Sequence, residues 1–187
     1  MDFNVLKNNI IDIPIKLCKK ASREKYRNTW LPKSYYDDLK FLCEQYDVRL
    51  FFHNKSYNEY DVYYVNNKEK RRIFLSSLFH KCESFKKRMC FGFCHELAHH
   101  IQAITRRLTG DNSYGYQDFE TGLKFERTAE RLAYFVYKKY FSHVYKIKHH
   151  DFDDYKDKKS VEFYKKWFIR NCSYLKIGNK DVGSFKY

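Results

Sequence analysis

The chain has 187 residues and carries 37 Lys and Arg against 23 Asp and Glu, a net charge of +14. That length supplies one ordinary hydrophobic core, so residues 1–187 are expected to form a single domain. The Lys residues are spread along the chain, so the charge favours solubility and acidic partners, nucleic acid or anionic membrane among them, without fixing a fold.

Eighteen Tyr, seventeen Phe and only six Gly point to a core filled by aromatic rings. The longest apolar run, Leu132 to Tyr137, is far too short to cross a bilayer. The opening Met1-Asp2-Phe3-Asn4 lacks the basic start and apolar run of a signal peptide, so a soluble, cytoplasmic protein is expected. Cys18, Cys43, Cys82, Cys90, Cys94 and Cys172 form no CxxC pair. Cys90 and Cys94 share a helix face, where small buried thiols are expected rather than a second metal site.

Pro32 opens a helical stretch, with Tyr35, Leu39, Leu42 and Cys43 at helical spacing. Asp47 to Phe52 alternates, placing Val48, Leu50 and Phe52 on one face of a strand. Two further strands are predicted around Asp61–Val65 and Arg72–Leu75, joined by polar turns such as Asn66-Asn67-Lys68-Glu69. Three short strands in succession predict a meander. A long helix follows from about Glu83 to Leu108, with Cys90, Cys94, Leu97, Ile101, Ile104 and Leu108 as its buried stripe. Gly110, Gly115 and Gly122 predict a loop over 110–122. A second helix runs from about Phe119 to Phe141, with Phe125, Ala129, Leu132, Val136 and Tyr140 on its inner face. After a basic stretch, Val161, Tyr164, Trp167, Phe168 and Cys172 mark a last amphipathic helix. It is expected to pack on the same domain rather than to serve a membrane or a partner.

The chemistry is concentrated in Cys94-His95-Glu96-Leu97-Ala98-His99-His100. His95 and His99 are one helical turn apart, so both imidazoles leave the same face and can bind one zinc ion. Glu96 lies about 100° around the helix, badly placed as a ligand but well placed to face a water on that metal. With eight His in the chain, a chance HExxH is expected about 0.02 times. Two surface histidines are therefore the weaker reading.

A third protein ligand is still needed. The extended HExxHxxGxxH pattern fails at Gln102 and Thr105, and HExxHxxxH fails at Ala103. The remaining common solution is a Glu from a later helix. Glu126 and Glu130 share a face beside the Phe125, Ala129 and Leu132 stripe. Glu126 can ligate the metal, while Glu130 can accept the second ring N–H of a ligand histidine. The bland alternative is a solvated face on which both pair with Arg127 and Arg131.

With these two motifs, residues 32–141 resemble the ImmA/IrrE-type metallopeptidase family: a helix, a small sheet, a helix bearing HELAHHIQ, and Glu126-x-x-Ala129-Glu130-x-x-Ala133 in place of that family's E-x-x-A-D/N-x-x-A. Residues 1–31 and 142–187 then form extensions at either end. The resemblance implies an α+β, zincin-like fold of the minimal gluzincin kind, a three-stranded sheet packed on the HExxH helix and a second Glu-bearing helix. It implies one Zn2+ held by His95, His99 and Glu126, Glu96 as the catalytic base, and Glu130 as a supporting carboxylate serving His95. The implied activity is cleavage of a regulatory protein, such as a DNA-binding repressor. Tyr137, seven residues beyond Glu130, and His143 offer themselves as oxyanion donors, and the Arg72–Leu75 strand as an edge for an extended substrate. The competing expectation is a non-catalytic, zinc-stabilised regulator that binds nucleic acid or an acidic protein through its basic surface. No zinc finger, RRM or clear helix-turn-helix supports it.

Overall fold

In a computed structural model of the chain, residues 2–11, 33–53, 62–66, 71–76, 85–110, 118–142 and 158–172 are described. They form α1 (Phe3–Asn8), α2 (Lys33–Gln45), β1 (Arg49–His53), β2 (Val62–Asn66), β3 (Arg71–Ser76), α3 (Phe85–Thr109), α4 (Phe119–Tyr140) and α5 (Lys158–Cys172). The described residues are mostly helical, with one small sheet, an α+β arrangement.

α3 is the axis on which the other elements pack. Cys90, Cys94, Leu97 and Ile101 recur at helical spacing and are fully buried, and Phe93 and Ala98 widen the apolar face. Ile104 lies at the edge of the core. Leu108, expected on the same stripe, is 76% exposed because the last turn of α3 runs past the core. Arg106 and Arg107 complement the carbonyl end of the helix dipole there. Gly110 follows with φ +65, a left-handed position that suits a residue without Cβ and ends the helix.

α4 starts where its cap dictates. The Asp118 side chain accepts from Thr121 N at 2.8 Å, and the Thr121 hydroxyl accepts from Asp118 N at 3.0 Å. This capping box starts the helix at Phe119, so Gly122 is a buried helical residue and not part of the expected loop. Phe125, Ala129, Leu132, Val136 and Tyr140 are all buried, as the periodicity predicts. α5 returns to the domain, with Tyr164 and Phe168 buried beside Phe119 at ring-centroid distances of 5.8 and 5.9 Å.

The sheet is not a meander. Its strand order is β1-β3-β2, with β1 parallel and β2 antiparallel to β3. β3 thus lies between two strands that both precede it in the chain. Leu50, Ile73 and Tyr64 stand side by side across the three strands and pack on the core. The Arg72–Leu75 segment is therefore the central strand and not an edge. α2 buries Leu39, Leu42 and Cys43; the chain then buries Tyr46 and turns into β1 through Asp47 at φ 53, a left-handed conformation that Asp tolerates better than most residues.

The first residues belong to this core. Leu6 is fully buried, and α1 packs on α3 and α4. The Tyr140 hydroxyl donates to the Ile11 carbonyl. The Ile11 N–H donates to the Tyr46 hydroxyl at 2.9 Å, which itself lies 2.9 Å from the Tyr140 hydroxyl. Pro14, Cys18, Pro32, Cys82, Gly115 and His143 lie outside the described residues, as does the turn at 67–69. Among those described, no helix is long and apolar enough to cross a membrane.

The burial of Leu6 has a measurable consequence. Leu6→Ala should lower the unfolding free energy by about 2–5 kcal/mol, read from urea denaturation. A change within about 0.5 kcal/mol, the range of ordinary surface substitutions, would show that α1 contributes nothing to the core.

Candidate metal centre

The turn of α3 at 95–100 presents two pairs of side chains on neighbouring faces. His95 and His99 point across the seam toward α4, where Glu126 lies. The His95 and His99 Nε2 atoms are 3.0 Å apart, and Glu126 Oε2 lies 3.1 Å from the first and 3.2 Å from the second. Tetrahedral ligands at ~2.0–2.1 Å from a zinc-sized ion stand about 3.3 Å from one another. The triangle therefore matches one face of such a polyhedron. This is the one group found among the described residues whose ligand atoms converge on a metal-sized space.

The rings are braced from both sides. Phe91, one turn earlier, stacks on His95 at 6.3 Å, and Phe125 stacks on His99 at 5.0 Å. The side chains of His95, His99 and Glu126 keep 12%, 9% and 7% of their exposure, so the cluster is enclosed but touches solvent on the His95 side. Glu126 and Glu130 are buried while Arg127 and Arg131 are exposed, which removes the solvated-face alternative. Arg131 instead lies over the Phe3 ring.

The field in the cluster suits a cation. Burial alone would lower the His99 pKa, but the Glu126 charge, its hydrogen bond and the Glu96 charge raise it to about 9. Burial alone would raise Glu126, yet His99 and His95 hold its carboxyl well below the usual range. Two imidazoles and a carboxylate are also the donor types that intermediate transition ions prefer. The residues present fit a metal.

Glu96 and His100 occupy the neighbouring face and point to β2. The half-buried Glu96 carboxylate accepts the backbone N–H of Tyr64, and the Tyr64 hydroxyl lies 2.9 Å from His100 Nδ1. His100 Nε2 lies 2.7 Å from the Tyr46 carbonyl, which can only accept, so this nitrogen carries the proton and Nδ1 accepts from Tyr64. Burial, above all, lowers the His100 pKa to about 4 and keeps the ring neutral. Burial also raises the Glu96 pKa, with Glu126 adding to the effect and His95, His99 and the Tyr64 N–H opposing it.

The other expected site residues fare differently. Glu130 is buried one turn beyond Glu126, but no hydrogen bond joins it to His95 Nδ1, the expected role. Tyr137 is a buried core residue whose ring packs near that of Tyr134. Cys90 and Cys94 are free, buried thiols. Sequence reasoning missed Gln102, used there only as the position where a glycine was wanting. It is fully buried, with Oε1 2.9 Å from His99 Nδ1 and Nε2 donating to the Phe125 carbonyl at 3.0 Å. Its place three residues after His99, on the same helix face, was the available signal.

Comparison with protein-family models, with curated proteins and with solved structures finds no match to this chain.

If the cluster is a metal centre, the purified protein should bind a divalent transition ion and Glu126→Ala should weaken it severely. The loss should exceed the ~10–100-fold typical of changes outside the ligand set, measured by elemental analysis and chelator competition. Unchanged affinity in Glu126→Ala would place the third ligand elsewhere.

Proposed function

We propose that the chain is a zinc-dependent metalloendopeptidase with a zincin-like core, resembling the ImmA/IrrE type, and that its substrate is a regulatory protein such as a DNA-binding repressor. One observation carries the reading. Two imidazole nitrogens and a carboxylate oxygen converge within 3.0–3.2 Å, while the acid of the same HExxH motif stands on the adjacent face. His95, His99 and Glu126 would hold the zinc. Bound there, the ion would acidify a water toward a pKa of about 7 and polarise a peptide carbonyl.

The remaining work falls to the protein. Glu96 stands next to the ligand face without belonging to it, so its carboxylate can take a proton from the attacking water. It then delivers that proton to the leaving amine. Phe91 and Phe125 stack on the two ligand rings and hold them. An extended substrate would add to the sheet at β2, the edge strand tied to Glu96 through Tyr64, in place of the central strand expected from sequence. A regulator acting by binding alone has the net charge of +14 in its favour, but leaves Glu96 only its hydrogen bond from the Tyr64 N–H.

Glu96→Gln separates the two. The amide is isosteric and lies off the ligand face, so zinc should bind as in the wild type. Cleavage of candidate DNA-binding repressors should fall by roughly 10²–10⁴-fold, the usual contribution of a general base. Fragments from the wild type that are absent with the variant support the peptidase. A variant that cleaves as fast as the wild type refutes the assigned role of Glu96.

A further inference from the structure

We infer that Gln102 is a positioning residue of the metal centre: it fixes the proton of His99 on Nδ1 and ties the Glu126 turn of α4 to the histidine-bearing helix. The inference rests on the metal-centre reading and adds to it a residue that no ligand motif specifies.

The argument starts from the Phe125 carbonyl. A carbonyl oxygen can only accept, so the Gln102 amide must turn its NH2 toward it, as the 3.0 Å contact requires. A flipped amide would set two oxygens against each other. With the NH2 committed, Oε1 is the atom left facing His99 Nδ1 at 2.9 Å. That oxygen in turn can only accept, so His99 Nδ1 must carry a proton. The neutral ring then has its lone pair on Nε2, the nitrogen that faces His95 Nε2 and Glu126 Oε2. A metal needs that lone pair, and the wrong tautomer would present a proton instead.

The same side chain sets the seam. Phe125 immediately precedes Glu126, so the Gln102 hydrogen bond holds α4 one residue from the ligand it contributes. Phe125 also stacks on the ring whose tautomer Gln102 fixes. One buried amide thus reaches one ligand directly and the other through its neighbour. Gln is suited to this because it offers an acceptor and a donor at one tip; Leu offers neither, and Glu only the acceptor.

The test uses the full-length protein, with zinc competed by a chromophoric chelator. Gln102→Leu should lower zinc affinity by about 10–100-fold, and Gln102→Glu, which keeps the acceptor for His99 but not the donor for Phe125, should lose clearly less even where its thermal midpoint falls. A merely structural Gln102 would make both variants lose zinc in proportion to lost stability, and that pattern overturns the inference. So does a Gln102→Leu protein that binds zinc as tightly as a wild type that binds it well. A wild type that binds no zinc overturns the metal centre itself. Should Gln102→Leu fail to fold, proton NMR of the zinc-loaded wild type decides. A slowly exchanging His99 Nδ1–H is expected, and one exchanging at the solvent rate overturns the assignment.

Discussion

Helical periodicity at 95–100 is the constraint from which the site follows. Residues four apart share a face and adjacent residues are turned about 100° from each other. His95 with His99 therefore look one way, and Glu96 with His100 look another. The first pair meets α4 through Glu126, and the second meets β2 through Tyr64. A single turn of helix thus joins the two layers of the domain, and its own packing in the core fixes the angle between them. Neither contact survives a shift of α3 by one residue.

Burying so many polar groups in one turn is costly unless each is answered. Here the answers come from outside the motif. Tyr46 supplies a carbonyl to His100, Tyr64 supplies a hydroxyl and an N–H, and Gln102 turns its oxygen to His99 and its NH2 to the Phe125 carbonyl. The charges are arranged in the same spirit. The low pKa of His100 leaves it neutral beside a sheet, whereas the carboxylates around His99 make its surroundings receptive to positive charge. Two adjacent histidines in sequence are held in opposite electrostatic conditions by what packs against each.

Much of this was legible from local periodicity. The apolar spacing located α3 and α4, and HExxH with a later Glu on a core-facing stripe was enough to bring His95, His99 and Glu126 together. What remained hidden depended on contacts between distant segments. The order β1-β3-β2 is a choice among pairings that local alternation cannot distinguish. The exposure of Leu108 depends on where the core ends, not on its position in the stripe. Glu130 shares a face with Glu126, but a shared face does not by itself bring its carboxylate into a hydrogen bond with His95 Nδ1. Gln102 has no motif because its role is defined by a carbonyl on another helix.

The seat of α1 bears on how the chain can fold. Ile11 is held by Tyr140, 129 positions later. The ordering loss for closing so long a loop is met only when α4 takes its place. Until then α1 lacks one of the two helices it packs on, and the core remains open at one end. Docking of α4 is therefore the step that closes the core over α1 and ties down Ile11.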